Sequence, residues 1–163
     1  MKTFERLVAR INRLFELIVI AAYVALVVDI TAAVFFRYVL NDSLVWGEEL
    51  ARYIFVWLTF LGAGLGVGKN VHVGVDSLVK MLPLGSKKTV QLCVEVAVMV
   101  FLVALIVVGV QLATASAYMQ TLLLHVSIAY VYLAVPVGGS LMLINLMASA
   151  WRHFDELTNG GTG

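Results

Sequence analysis

The sequence predicts an all-α integral membrane protein with four transmembrane helices. Of its 163 residues, 62% are hydrophobic and only 13% are charged. A soluble domain of this length cannot bury so much apolar surface, because a small domain keeps much of its surface exposed. The apolar residues also gather into long runs, which predict spans at residues 14–36, 46–68, 90–112 and 128–150. We therefore predict a single membrane domain over residues 1–163, with a disordered tail from residue 157.

Basic residues precede the first span. Lys2, Arg6, Arg10 and Arg13 are interleaved with Phe4, Leu7, Val8 and Ile11 at helical spacing. This pattern is typical of a short N-terminal amphipathic interfacial helix that leads into a span. A cleaved signal peptide is the alternative, but the apolar run over residues 14–36 is too long for a signal core and shows no convincing small-residue cleavage site.

The second span begins with charged residues. Tyr53–Val67 is almost wholly apolar or glycyl and about 22 Å long, so the span must include residues back to Trp46 to cross a hydrocarbon core of about 30 Å. Glu48 and Glu49 precede Arg52 by four and three residues, spacings that place both carboxylates on the same helix face as the guanidinium. We expect these three residues to lock the second helix to the connection that precedes it.

Two acidic residues lie within apolar runs. Asp29 precedes Arg37 by eight residues, which places it about 12 Å below the outer interface. We interpret it as an ion pair with Arg52, with a proton or ion relay or an interhelical contact to another subunit as alternatives. Glu95 lies about 10 Å above the inner interface, too far from Asp29 to share a site with it. This separation argues against paired-carboxylate catalysis.

Alternate positions in the second span are glycines. Gly62 and Gly66, like Gly64 and Gly68, form small-xxx-small pairs that let another helix approach closely. A broken helix lining a substrate site is the alternative, but the rest of the chain shows no matching break. In the fourth span, Pro136 predicts a kink.

The second connection alternates apolar and polar residues from Val73 and contains Pro83, so it predicts a short interfacial helix between spans 2 and 3 that stops at the proline. His72 and Asp76 are four residues apart, but two residues do not make a metal site. The sequence has one cysteine, Cys93, and contains no phosphate loop, zinc motif or nucleophile elbow. We therefore predict neither an enzyme nor a cofactor.

The distribution of basic residues predicts the orientation. Nine of the 11 lysines and arginines lie near the two termini or in the second connection, which share one side of the membrane when the number of spans is even. Positively charged segments remain in the cytoplasm, so both termini are predicted to be cytoplasmic. The third connection, residues 114–127, then faces outward as a helical extension followed by a tight turn.

Several motifs occur in a fixed order along the chain. They are Arg37 and Tyr38; Trp46, Gly47, Glu48 and Glu49 with Arg52 and Tyr53; Trp57 with Phe60 and Gly62; Lys69, His72, Val75 and Asp76; and Tyr132, Pro136, Gly138 and Gly139. Together they resemble the small membrane subunit of the tripartite ATP-independent periplasmic (TRAP) transporters, the DctQ-like family. One departure is the third connection, which lacks the proline expected around residues 121–126.

The resemblance implies a division of labour in a bacterial inner membrane. A periplasmic substrate-binding protein captures a carboxylate-bearing solute, a large membrane subunit imports it with a sodium gradient, and the small subunit is a scaffold without a cofactor. The predicted structural and interface residues are Asp29, Arg37, Trp46, Glu48, Glu49, Arg52, Gly62, Gly66, His72, Asp76, Glu95 and Pro136. Besides the two proteins we expect the lipid bilayer and no nucleic acid as partners. The alternative function is a self-sufficient four-helix exporter that works as a homodimer around Asp29.

Overall fold

The chain is all-α in a computed structural model that describes residues 2–79 and 87–159, with side-chain surroundings for residues 6–67 and 94–150. The helices are α1 (Lys2–Val39), α2 (Val45–Val79), α3 (Lys87–Ala115), α4 (Ala129–Tyr132) and α5 (Ala134–Asn159). Four stretches in helical segments are long and apolar enough to cross a membrane: Arg6–Val39, Val45–Val67, Val94–Ala115 and Ala129–Ala150. Each overlaps a predicted span, which confirms the fold class.

Helix α1 is 38 residues long because its sequence contains neither glycine nor proline. At about 57 Å it joins the predicted amphipathic segment and the first span in one helix. The helix ends before Asn41, which has a left-handed backbone with φ of 52°. The Asp42 N–H then donates to the Phe36 carbonyl at 3.2 Å, so the chain reverses and α2 starts beside the outer end of α1.

Helix α2 continues without a break to Val79. Residues 73–79 are therefore helical as expected, but they extend α2 instead of forming a separate interfacial helix. No proline precedes Pro83 in this stretch, so every residue up to Val79 can donate its N–H to the helix ladder. Pro83 lies outside the described residues, as do the side-chain surroundings of His72 and Asp76.

The fourth span is interrupted at Leu133, between α4 and α5. Pro136 has no N–H, so it cannot donate to the carbonyl of Tyr132, and the helix is weakened one turn before the proline. Leu133 keeps a right-handed helical backbone, with φ of −60° and ψ of −21°, so the kink at Pro136 stays a prediction. At its other end α5 reaches Asn159, into the stretch from residue 157 that we predicted to be disordered.

The helices form an open layer in the order α1, α2, α5, α3. Helix α5 packs most extensively against α2, while α1 packs mainly against α2 and α3 mainly against α5. In the part of the chain that the structure describes, α1 and α3 do not contact each other. The buried core follows the centre of this layer and includes Leu61, Ala134, Leu141 and Leu146. The helices at the two edges of the layer, α1 and α3, expose most of their apolar side chains, which suits a lipid or protein neighbour.

The contact between α2 and α5 is close because glycines lie in it. A Cβ atom added to Gly64 would lie 2.8 Å from the side chain of Leu141. A Cβ atom added to Gly138 would lie 2.8 Å from main-chain atoms of Phe60. The backbones therefore approach to a distance that side chains at these positions would prevent.

A buried amide pair ties α1 to this contact. Asn145 donates from Nδ2 to the Gly64 carbonyl at 3.0 Å and to Asn12 Oδ1 at 3.0 Å. Asn12 donates in return from Nδ2 to Asn145 Oδ1 at 2.7 Å. Sequence reasoning missed this pair: Asn145 in the apolar fourth span is a signal for an interhelical hydrogen bond, but Asn12 lies in the amphipathic segment before the first span.

Candidate functional site

Two features lie beside the outer end of α2. We call them the outer cleft, between α1 and α2, and the outer turn, residues 116–128 between α3 and α4. Glu48 lines the outer cleft, whereas its neighbour Glu49 binds the outer turn. Consecutive residues of a helix point about 100° apart, so adjacent carboxylates reach different surfaces.

The outer turn is closed by its own hydrogen bonds. The Thr121 N–H donates to the Val126 carbonyl at 2.9 Å, and the Val126 N–H donates to Thr121 Oγ1 at 3.1 Å. Nearer the two ends of the turn, the Ile128 N–H donates to the Met119 carbonyl at 2.9 Å. Helix α3 reaches Ala115 before the chain turns, so the connection has the helical extension and tight turn that the sequence predicts.

Glu49 fixes the outer turn to α2. Its Oε2 accepts the main-chain N–H groups of Leu123 at 2.9 Å and Leu124 at 3.2 Å, and its Oε1 accepts the hydroxyl of Tyr53. About two turns further along α2 than Glu49, Trp57 Nε1 donates to the carbonyl of Tyr130 in α4 at 3.1 Å. Helix α2 therefore holds both the outer turn, through Glu49, and the helix that follows it, through Trp57.

The predicted lock between Arg52 and the two glutamates is wrong. Arg52 is exposed and forms no ion pair with Glu48 or Glu49, which bind Arg37 and the outer turn instead. The N–H groups that Glu49 accepts come from residues 74 and 75 positions away in the sequence. Local helical spacing cannot reveal partners at that distance, so it favoured Arg52.

The outer turn presents an apolar tip. Tyr118 is 98% exposed and Leu122 is 91% exposed, although both follow the well-anchored end of α3. Large apolar side chains this exposed on a hydrogen-bonded turn form a surface suited to a protein or membrane contact.

The outer cleft has a volume of about 250 Å³. It is lined by Asp29, Ile30, Ala33, Val34, Arg37, Tyr38, Ser43, Leu44, Gly47, Glu48 and Ala51. Arg37 Nη1 lies 3.9 Å from Glu48 Oε1, and both side chains are mostly exposed. This pair is the ion pair of the cleft, and it leaves Asp29 as a third charged group beside it.

Asp29 is only 8% exposed, and its Oδ2 has no hydrogen-bond partner. It faces Gly47 in the first turn of α2, where an added Cβ would lie 3.3 Å from Asp29 Oδ1. The expected ion pair with Arg52 is therefore absent. Arg52 follows Gly47 by five residues, which turns it about 140° around α2, away from α1.

The other predicted site residues do not converge on one site. Trp46 is 45% exposed at the outer end of α2, and Glu95 is half-buried in the first part of α3. Pro136 is buried against Gly109, whose added Cβ would lie 2.8 Å from it. Among the residues whose surroundings are described, no three His, Cys, Asp or Glu side chains are grouped so that they could hold a metal ion.

Gly62 and Gly66 form an open surface on α2. An added Cβ at either position would meet no atom within 4 Å, whereas Gly64 between them is filled by Leu141. Two residues along a helix correspond to a rotation of about 200°, so the pair faces away from α5. We call this surface the glycine face.

Comparison with known proteins agrees with these features. The family model for the DctQ component of the tripartite ATP-independent periplasmic transporters matches residues 26–156. The sialic acid TRAP transporter small permease protein SiaQ of Vibrio cholerae is 32% identical over 133 residues, which are 82% of this chain and 77% of that protein. The C4-dicarboxylate TRAP transporter small permease protein DctQ of Vibrio cholerae is 32% identical over 76 residues, 47% of this chain and 33% of that protein.

A longer relative contains the same segment. The sialic acid TRAP transporter permease protein SiaT of Haemophilus influenzae is 27% identical over 144 residues, 88% of this chain but only 23% of that protein. Proteins of this family are transporter subunits of the inner membrane that work with a large membrane subunit, and they are not enzymes. The chain therefore belongs to the DctQ family, the small permease subunits of TRAP transporters.

Proposed function

We propose that this chain is the fixed scaffold of a sodium-driven TRAP transporter that imports a carboxylate-bearing solute. The large membrane subunit would carry the solute and the sodium ions, and a periplasmic substrate-binding protein would deliver the solute. Sialic acid and C4-dicarboxylates, named for two relatives, both carry carboxylates and support this solute class. At the centre of the described layer, no group of side chains converges to bind a solute or an ion. This favours a scaffold over a subunit with its own transport site.

The glycine face is the observation that carries this proposal. A Cβ atom added to Gly62 or Gly66 would meet open space, whereas Gly64 and Gly138 are packed against other residues of this chain. Close helix packing in a membrane depends on such small residues, so the open pair suits a helix of another protein. The relative in which the matched segment is about a quarter of a longer permease supports direct association with a larger membrane component.

The outer turn is the proposed contact for the substrate-binding protein. With both termini in the cytoplasm, as the distribution of basic residues favours, α3 ends at the periplasmic side. The exposed Tyr118 and Leu122 would then project from a turn that Glu49 holds in place. A preformed apolar tip can bind a partner without first being ordered.

Uptake into proteoliposomes tests the proposed function. The large subunit and loaded substrate-binding protein are reconstituted with and without this chain, with sodium or potassium outside. We expect uptake of a carboxylate-bearing solute only when all three proteins and an inward sodium gradient are present. Transport by this chain alone would contradict the scaffold role and support the homodimeric exporter around Asp29.

A further inference from the structure

We propose that the outer cleft binds one cationic side chain of the large subunit, whose charge pairs with Asp29. The inference rests on the partnership with that subunit and names a site at which the two proteins meet. Asp29 is buried within a membrane-spanning segment, and its Oδ2 has no hydrogen-bond partner. A carboxylate left without a partner at such a position is costly, and intramembrane acids are normally paired with a positive group.

The charges that line the cleft require a single positive charge. Arg37 is matched by Glu48 across 3.9 Å, and Asp29 is the remaining charged residue of the lining. Two carboxylates and one guanidinium leave a net charge of −1 in the cleft. One lysine or arginine side chain balances this charge. A zwitterionic lipid headgroup does not, because its phosphate brings a second negative charge with its ammonium.

The shape and lining of the cleft fit an alkyl stem with a charged end. A volume of about 250 Å³ accommodates the methylene chain of a lysine or arginine. Ala33, Leu44 and Ala51 supply apolar wall around the carboxylate. A bare sodium ion is a poorer fit, because a hard cation needs several oxygen ligands and most of this lining is hydrocarbon.

The cleft is open along one side of α1. Ile30 and Val34 line it and are still 48% and 52% exposed, so its side along α1 is uncovered by this chain. A partner side chain can therefore enter laterally from within the membrane. Gly47 makes room for the carboxylate, since an added Cβ there would lie 3.3 Å from Asp29 Oδ1.

Charge removal in the intact complex tests this site. The tagged small subunit is co-expressed with the large subunit, and the ratio of the two proteins is measured after purification in detergent. We expect Asp29→Asn to lower the retained large subunit at least about tenfold, because the partner cation is left buried without a counter-charge. Asp42→Asn is the matched control, and since Asp42 is exposed and does not line the cleft we expect less than about a twofold change.

Measurements on the small subunit alone separate binding from folding. Asp29→Asn keeps the shape of the side chain, and we expect the isolated variant to unfold at the same temperature as the wild type or higher. The contact is then located by placing the photo-crosslinking residue p-benzoylphenylalanine at Val34 and mapping the crosslinked peptide. Replacing the lysine or arginine found there by aspartate, together with Asp29→Lys, should restore the complex.

These experiments distinguish a wrong partnership with the large subunit from a wrong cationic contact at Asp29. Wild-type chains that do not co-purify would overturn the partnership on which both proposals rest. If the wild-type complex forms but Asp29→Asn retains equal large subunit, only the cationic contact is wrong. A crosslink at Val34 to phospholipid alone, or a charge exchange that restores nothing, would also overturn it.

Discussion

Helix α2 has two faces made from the same residue type and completed in different ways. Towards α5, Gly64 is filled by Leu141, and Gly138 on α5 lies against the main chain of Phe60. On the opposite side, Gly62 and Gly66 have open space. The difference shows that a glycine repeat indicates close packing without indicating the partner, because the helical rotation assigns alternate glycines to opposite faces.

The acids at the outer end of the molecule repeat this contrast. Glu49 has three donors from the chain itself, whereas Asp29 has a buried oxygen without one. The first acid completes the fold of this chain. The second is left for a contact that the chain does not make, so the closed and open surfaces can be tested separately.

The largest expected change in stability is at the close contact between α2 and α5. Gly138→Ala would place a methyl group within 2.8 Å of Phe60 main-chain atoms, which cannot rotate away. We expect the isolated subunit to lose about 2–3 kcal/mol of unfolding free energy, measured by titration with sodium dodecyl sulfate. Gly62→Ala is the matched control and should lose nothing. Equal losses in the two variants would remove the distinction between the faces.

A second change weakens the amide pair beside that contact. Asn145→Leu removes the hydrogen bonds to Asn12 and the Gly64 carbonyl, and should lower the unfolding free energy by about 1 kcal/mol. In the same titration, Asn12→Leu combined with Asn145→Leu should be less destabilising than the sum of the two single changes. Strict additivity would show that the pair is not a coupled unit.

The adjacent glutamates give a local test. Glu49→Ala removes the acceptor of the Leu123 and Leu124 N–H groups, so we expect their hydrogen exchange to accelerate about tenfold. Glu48→Ala should leave exchange in the outer turn unchanged, because Glu48 points into the cleft. Mass spectrometry of peptides covering residues 116–128 makes the comparison. Acceleration in both variants would mean that the turn is not held by Glu49.

The smallest effect is expected at the mouth of the cleft. Arg37→Ala breaks an ion pair of 3.9 Å between two mostly exposed side chains. Such pairs contribute little, so the unfolding free energy of the isolated subunit should change by less than about 0.5 kcal/mol. A larger loss would mean that the mouth belongs to the closed part of the fold.

The sequence predicted the spans because hydrophobic length is a local property. It also indicated a weak point before Pro136, since the missing N–H acts on the preceding turn, where α4 ends and α5 begins. It could not predict the partner of Glu49, whose donors lie in another connection, and it paired Asp29 with Arg52 from estimated depth alone. Depth ignores rotation about the helix axis, which here turns Gly47 towards Asp29 and Arg52 away.

The amount of large subunit retained by a double variant of the glycine face tests most directly whether the large subunit packs there. Gly62→Leu with Gly66→Leu fills space that is open in this chain, so the isolated subunit should remain folded and as stable as the wild type. We predict that the tagged double variant retains less than about a tenth of the large subunit that the wild type retains, because the helices can no longer approach closely. Full retention by a folded double variant would contradict the claim that the large subunit packs on this face.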